Sequence, residues 1–277
     1  MPQSAWFRLW ARSQRFLRYN RRVKTEEKRM LGIIGGTGLT QLANLKITRR
    51  QLSRTPYGEP SGPLTFGDIC GHTVVFLPRH GSGHTIPPHR VNYLANLWAL
   101  NAEGVRSIVS VATVGGIHPD LTPGRIVLPD QIIDYTHGRR TTFYDGIDLP
   151  IKHIDFTEPY CPKMRELCRQ AAAKAGESLV DGGVYGAVQG PRLETAAEIG
   201  RLERDGATMV GMTGMPEAAL ARELEISYAA ICPVANYAAG KGSSAHGISY
   251  SDINLVLSEV MERVRKLIEE VVILHAD

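Results

Sequence analysis

Two polar side chains, Thr213 and Asn236, follow apolar runs in a pattern typical of strand ends in an α/β fold. The run from Met209 to Met212 stops at Thr213, and helix signals begin soon afterwards with a proline. Ser227 to Ala235 is a second apolar run, and Asn236 follows it. In parallel α/β sheets, the loops at the carboxyl ends of strands gather ligands. We therefore expect Thr213 and Asn236 to hold the two ends of one small substrate.

Two other segments have residue types that bind anions. Residues 31–39, LGIIGGTGL, predict a strand that enters a glycine-rich turn, where successive backbone N–H groups can point at an anion. The turn lacks the Lys-Ser/Thr ending of a P-loop and the third glycine of a dinucleotide fingerprint, so it does not favour ATP or nicotinamide binding. Arg79 follows a strand at 74–77, where an arginine can bind phosphate with two N–H groups at once. An exposed ion pair is the alternative for Arg79.

Strands and helices that alternate along the chain must position these residues. Further strands are predicted at 107–112, 125–134 and 182–188, and helices at 90–101, 161–175, 195–205 and 251–275. A chain of 277 residues with 43% apolar content can bury one full core. We expect a single α/β domain over residues 30–277, with a twisted mixed β-sheet flanked by helices.

The basic charge of the chain is concentrated in residues 1–29. This segment holds nine of the 32 Lys and Arg residues but two of the 28 acidic residues, which leaves 23 basic and 26 acidic residues in the rest. The net charge of +4 therefore does not indicate nucleic-acid binding by the main domain. The composition of residues 1–29 fits a membrane-surface helix or a transit-like segment. We favour a poorly ordered N-terminal extension or an upstream translation start before Met30.

Cysteine spacing and hydropathy argue against several other classes of protein. The four cysteines form no CxxC pair and have no nearby histidine at zinc-ligand spacing, so we expect reduced thiols in a cytoplasmic enzyme without a metal site. The chain has no run of the roughly 18 to 20 apolar residues needed to cross a bilayer, so we expect no membrane partner.

Several blocks of sequence resemble the trimeric purine nucleoside phosphorylases, and within them the methylthioadenosine phosphorylase branch. The blocks occur in the right order: GIIGGTGL, FLPRHGSGHTIPPHRVNYLANLWAL, the stretch 112–116, PGRIVLPDQIIDYT, TFYDG, GPRLET and GMTGMPE. Enzymes of this family transfer the ribosyl group of a nucleoside to phosphate. The resemblance implies a homotrimeric pentosyltransferase of purine salvage that uses inorganic phosphate as co-substrate and no cofactor.

Such a reaction sets two tasks for the protein. The sugar becomes cationic in the transition state, so the protein must hold a phosphate dianion beneath it and stabilise negative charge on the departing base. By resemblance, the first task falls to Thr37, Arg79 and Thr213, with His80 assisting. Ala112 and Thr113 would border the phosphate and the sugar. Relatives carry a threonine at the position of Ala112, so either a backbone N–H group or Thr113 would replace the lost hydroxyl.

The resemblance also implies contacts with the nucleoside. Met212 would pack on the ribose, with an ordinary core methionine as the alternative. Leu193 would cover the base where relatives often carry an aromatic residue. His84 would lie near the 5′ end of the ribose. His153 would reach the 5′ substituent bound by a neighbouring subunit, although a solvated loop histidine is the alternative.

The sequence departs from the methylthioadenosine branch at the base. Adenine-cleaving relatives use an Asp-x-Asp pair, whereas this chain has Asn236 and Ala238 at the two positions. An asparagine amide can donate to N7 and O6 of a 6-oxopurine, and a site built for one base edge rejects another by leaving buried groups unpaired. Together with an apolar 5′ pocket, this predicts phosphorolysis of S-methyl-5′-thioinosine to hypoxanthine and 5-methylthioribose 1-phosphate, with Asn236, Thr213 and Arg79 as the catalytic residues.

Three other functions stay open. The nearest is a methylthioadenosine phosphorylase whose altered base site still reads adenine through Asn236. A general inosine/guanosine phosphorylase is next, and an apolar pocket lined by Met212 and Leu193 argues against it. A non-catalytic nucleoside-binding protein fits least, because Thr37, Arg79 and Thr213 are all present.

Overall fold

The computed structural model of the chain describes residues 30–147 and 149–277. Its strands are β1 (Met30–Gly35), β2 (Lys46–Gln51), β3 (Leu64–Ile69), β4 (His72–Pro78), β5 (Val105–Val111), β6 (Val114–Gly116), β7 (Ile126–Leu128), β8 (Gln131–Asp134), β9 (Leu179–Asp181), β10 (Val184–Ala187), β11 (Met209–Gly211) and β12 (Ser227–Tyr237). Its α-helices are α1 (Tyr93–Ala102), α2 (Pro162–Lys174), α3 (Ala196–Arg204), α4 (Gly214–Glu223) and α5 (Tyr250–Ala276). The extension predicted at residues 1–29 lies outside the described residues.

The described strands form a mixed sheet in the order β2-β3-β4-β1-β5-β12-β6-β11-β10-β8. Strands β4, β1, β5 and β12 run parallel, while β2 and β3 are antiparallel to their neighbours. Strand β12 joins the two halves of the sheet: it pairs with β5 through residues 227–231, then with β7 and finally with β6. The carboxyl ends of β1, β4, β5 and β12 therefore lie at one edge.

Two apolar layers cover the two faces of this sheet. Because side chains alternate across a strand, Ile108 and Val109 of β5 enter opposite layers. Helices α1 and α4 pack in the layer with Ile108, and α2 and α5 pack in the layer with Val109. The predicted α/β domain with a mixed sheet flanked by helices is confirmed.

Helix ends follow local signals in the sequence. Thr195 forms a capping box with Glu198 at the start of α3, and Ser249 accepts a hydrogen bond from Asp252 N at the start of α5. Helix α4 begins at Gly214, but Met215 is extended, with φ −116° and ψ 141°, so regular helix starts at the proline that the sequence indicated. Asn236, expected just after a strand, lies inside the end of β12. Within the described ranges, every helix is too short or too polar to cross a membrane.

Candidate active site

A cavity of about 620 Å³ opens at the carboxyl ends of β1, β4, β5, β11 and β12. Eleven of the twelve site residues predicted from the sequence line it: Thr37, Arg79, His80, His84, Ala112, Thr113, Leu193, Met212, Thr213, Asn236 and Ala238. His153 is the exception, since it is exposed and does not line this cavity. A single chain thus brings the residues expected at both ends of the substrate into one cavity, whereas His153 lies outside it.

One end of the cavity is built on the turn after β1. A Cβ atom at Gly36 would lie 2.5 Å from Val111 O and 2.9 Å from Arg79 Nη1, so this position accepts only glycine. Thr37 follows it and is half-buried. Thr113 Oγ1 donates to Thr37 O at 3.1 Å, and Ala112 N donates to Ile231 O at 3.1 Å. The Thr113 hydroxyl and the Ala112 backbone N–H therefore already have protein partners.

Arg79 differs from its predicted geometry. Its side chain is 1% exposed, and its Nε and Nη2 groups donate to the Glu217 carboxylate at 2.6 and 2.8 Å. Nη2 also donates to Ser110 Oγ and Nη1 to Val111 O. The edge of the guanidinium that was expected to bind phosphate with two N–H groups thus faces Glu217. What remains for an anion is the second Nη1 N–H group, beside the Gly36 turn.

The Arg79–Glu217 pair is fully desolvated and well bonded. Glu217 is 0% exposed and also accepts from Tyr228 Oη at 2.8 Å. Burial alone would lower the pKa of Arg79, but attraction to Glu217 outweighs it and raises that pKa. The guanidinium is therefore a permanent buried cation beside the Gly36 turn.

His80 is held as a neutral imidazole. Its Nδ1 lies 2.8 Å from Ile86 O, and a carbonyl only accepts hydrogen bonds, so Nδ1 carries the proton. Burial and then the charge of Arg79 lower the pKa of His80 to about 4. Near neutral pH, Nε2 is consequently a hydrogen-bond acceptor.

The other end of the cavity holds the candidate base-reading groups. Asn236 is half-buried, and its Nδ2 donates to Tyr237 O at 2.6 Å, which leaves one amide N–H and the amide oxygen for a ligand. Ala238 is buried and packs beside Gly115. Glu194 also lines the cavity, and burial raises its pKa. Sequence reasoning missed Glu194, although it directly follows Leu193 in the GPRLET block.

A third wall is apolar and comes from the start of α5. Ile253 and Leu257 line the cavity together with Ile248 and Tyr250 from the preceding loop and first turn. Ile253 and Leu257 are spaced four residues apart on one face of the helix; Leu257 enters the core, and Ile253 packs against it. A periodicity argument could not indicate that the first turns of this face also border a ligand cavity.

A family model described as the phosphorylase superfamily matches residues 30–273, which includes all the segments that line the cavity. The chain belongs to the phosphorylase superfamily. This phosphorylase is an enzyme of the nucleoside phosphorylase, or pentosyltransferase, type, as predicted.

Two relatives indicate where the phosphorylase lies within the superfamily. It is 49% identical over 239 residues to a protein of Pseudomonas syringae named probable S-methyl-5′-thioinosine phosphorylase, with 86% of this chain and 96% of the relative covered. It is 43% identical to a protein of Pyrococcus furiosus named 6-oxopurine nucleoside phosphorylase, with 87% and 89% covered.

A solved structure agrees with the fold of the phosphorylase. The methylthioadenosine phosphorylase of Schistosoma mansoni in complex with adenine superposes with a TM-score of 0.85. The two chains are 32% identical, and the match covers 89% of this chain and 92% of the other. The shared fold therefore extends over nearly the whole described domain.

Proposed function

We propose that this phosphorylase cleaves the N-glycosidic bond of S-methyl-5′-thioinosine with inorganic phosphate, and releases hypoxanthine and 5-methylthioribose 1-phosphate. The observation that carries the proposal is that Asn236 and Glu194 line one cavity whose third wall is apolar. The reaction as proposed needs phosphate as co-substrate and neither a metal nor an organic cofactor.

The chemistry of a 6-oxopurine edge matches these two side chains. Hypoxanthine presents N7 and O6 as acceptors and N1–H as a donor. The free amide N–H of Asn236 is a donor for N7 or O6, and the Glu194 carboxylate is an acceptor for N1–H. Adenine has no N1 proton, so it would leave the Glu194 carboxylate without a donor at N1, although N7 and the 6-amine could still pair with the Asn236 amide.

The 5′ end of the substrate is assigned by polarity. An S-methyl group is apolar, and the wall formed by Ile248, Ile253 and Leu257 would remove it from water. His84 and Tyr250 also line the cavity and are exposed. A free 5′-hydroxyl buried against the aliphatic side chains would lose hydrogen bonds with water.

Phosphate would bind at the opposite end, between the Gly36 turn and the start of α4. Thr37, Thr213 and one Nη1 N–H group of Arg79 are its proposed donors. Neutral His80 offers an acceptor, which suits the O–H group of monohydrogen phosphate. With phosphate held below the ribose and Met212 against the sugar, attack at the anomeric carbon would proceed as Asn236 stabilises the charge on the departing purine.

We also propose a cytoplasmic homotrimer, because the site of one chain lacks His153. This histidine is exposed in a surface segment with Ile147 and Ile151, whose side chains are 75% and 70% exposed. Large exposed apolar side chains favour burial against another surface, and a second copy of the chain could receive His153 at its 5′ end. Sedimentation should give three times the chain mass, and a monomer would contradict this assembly.

The decisive experiment measures phosphate-dependent release of base from three nucleosides in parallel: S-methyl-5′-thioinosine, S-methyl-5′-thioadenosine and inosine. We expect the first to have the highest kcat/KM. A preference for methylthioadenosine would contradict the roles of Asn236 and Glu194. A preference for inosine would contradict the apolar 5′ pocket, and no turnover of any of the three would favour a binding protein.

A further inference from the structure

Arg139 does not line the cavity, yet it is hydrogen-bonded to two of the loops that carry lining residues. It is half-buried in the loop after β8. Its Nη1 donates to Met215 O at 2.6 Å and to Met212 O at 2.9 Å, while Nη2 donates to Gln189 O at 2.9 Å and to Val188 O at 3.2 Å. One guanidinium therefore joins the backbone of two separate loops.

The remaining contacts of Arg139 complete this bridge. Nε donates to Gln189 Oε1 at 3.1 Å, and the same oxygen accepts from His137 N at 3.1 Å. Nη1 also approaches Tyr93 Oη at 3.3 Å, and Tyr93 Oη in turn donates to Pro88 O in the segment that follows His84. All N–H groups of this rigid fork thus have acceptors.

The acceptors of Arg139 indicate a structural role in the site rather than an ion pair. Four of them are backbone carbonyls, and none of the ion pairs among residues 30–147 and 149–277 includes Arg139. A planar guanidinium with fixed N–H directions sets the distance between carbonyls that it joins, whereas the ammonium group of a lysine has three donors on a flexible stem.

The two loops joined by Arg139 each carry residues that line the cavity. The loop at 188–194 ends in Leu193 and Glu194, and the loop at 212–215 begins with Met212 and Thr213. They are already close: Val188 N donates to Gly211 O at 2.8 Å, and a Cβ atom at Gly190 would lie 2.4 Å from Met212 Sδ. A small change in their separation would move Glu194 relative to Met212.

We propose that Arg139 is a positioning residue, which holds the base-reading loop at 188–194 at a set distance from the ribose- and phosphate-binding loop at 212–215. It touches no substrate. It keeps Glu194 at a fixed distance from Met212, so that Glu194 meets the base when Met212 contacts the ribose. The inference rests on the proposed nucleoside phosphorylase site, but it does not depend on which purine the wild-type enzyme prefers.

The test compares Arg139→Met and Arg139→Lys with the matched control Arg140→Met. Arg140 is the next residue and is exposed. It lies 3.9 Å from Asp145 in an ion pair and contacts the face of the Tyr57 ring. The readout is kcat/KM for methylthioinosine and for methylthioadenosine, measured well below the thermal unfolding midpoint of each variant. A general loss of stability would lower the two values alike, whereas a shifted Glu194 would change their ratio.

We expect Arg139→Met to lower kcat/KM for the preferred nucleoside about 100-fold, because a displacement near 1 Å has effects of that size. The ratio between the two nucleosides should move about tenfold toward one, whichever base the wild type prefers. Arg139→Lys should recover part of the loss, and Arg140→Met should stay within about twofold of wild type. An Arg139→Met enzyme with the wild-type ratio would overturn the proposal.

A milder variant keeps the test decisive if Arg139→Met does not fold. Gln189→Leu removes one acceptor of Arg139 while leaving all four backbone carbonyls. We expect a shift of the ratio in the same direction, about threefold. If both Gln189→Leu and Arg139→Lys fold and keep the wild-type ratio, the positioning role is wrong. The proposed base preference is tested by the ratio of the two kcat/KM values in the wild-type enzyme alone. Failure of that preference can therefore be distinguished from failure of the positioning role of Arg139.

Discussion

The proposed phosphate end and the proposed base end of the cavity are built in different ways. The phosphate end consists of short turns directly after strands, with a fully buried Arg79–Glu217 pair behind them. The base end consists of two half-buried side chains. Asn236 lies at the end of β12, and Glu194 lies on the loop between β10 and α3. The first end is fixed by the sheet, and the second depends on contacts between loops.

This difference has a chemical reason. Phosphate is common to every substrate of such an enzyme, so its site can be formed by backbone groups and one permanent charge. A base must be distinguished by the pattern of donors and acceptors on its edge, which requires particular side chains at a set separation. Substitutions at the phosphate end should therefore affect stability or phosphate binding, and substitutions at the base end should affect specificity.

The largest expected effect is a loss of stability when the buried Arg79–Glu217 pair is broken. Glu217→Gln leaves the Arg79 charge desolvated without a counter-ion, so we expect the free energy of unfolding to fall by about 3 kcal/mol. Chemical denaturation measures this. The control is Glu203→Gln, which removes an exposed ion pair with Lys241 and should cost less than about 1 kcal/mol. Equal effects of the two variants would contradict the difference in burial.

The next largest effect should separate the two ends by specificity. Asn236→Asp removes the amide donor and, when ionised, places a negative charge near O6 of a 6-oxopurine. We expect the ratio of kcat/KM for methylthioinosine over methylthioadenosine to fall about 100-fold, with the KM for phosphate nearly unchanged. Steady-state kinetics with each substrate varied in turn gives both quantities. A large change in phosphate KM with an unchanged ratio would show that the two ends are not independent.

The pH dependence of stability should report on the phosphate end through His80. Its pKa is about 4 in the folded state, below the ordinary histidine value of 6.5, so the unfolded state binds more protons between these two values. Stability due to neutral His80 is therefore complete above pH 6.5 and is lost as the pH falls toward 4.

Between pH 7 and pH 4.5, we expect wild type to lose about 2 kcal/mol more of its unfolding free energy than His80→Asn does. Asparagine keeps an N–H donor for Ile86 O but does not titrate. Urea unfolding of both proteins at several pH values provides the comparison. Parallel stability curves would mean that His80 is not the titrating group.

The smallest expected effect is the loss of a single hydroxyl at the phosphate end. Thr37→Val keeps the shape of the side chain and removes its hydroxyl group, so we expect the KM for phosphate to rise about tenfold without a change in base preference. Thr40→Val, in the same turn region, is the control and should have little effect. A changed base preference in Thr37→Val would contradict the separation of the two ends.

Much of this organisation could be predicted from the sequence. Apolar runs indicated the strands around Ile33 and Val109, and glycine and proline positions indicated the turns after them. Because loops at one edge of a parallel sheet converge, eleven predicted residues line one cavity even though they are spread from Thr37 to Ala238. Their types indicated an anion site, and the resemblance to the purine nucleoside phosphorylases implied a purine.

Partner choice among polar side chains was decided only by the tertiary structure. Local sequence could not show that the fork of Arg79 would face Glu217, 138 positions away, instead of an anion. Nor could it show that Glu194 and Ile253 line the cavity. The bridge that Arg139 makes between the loops at 188–194 and 212–215 was equally hidden. The sequence determined which segments become strands and where they end, because those signals are local. The tertiary structure decided which donors meet which acceptors, because that depends on distances between segments remote along the chain.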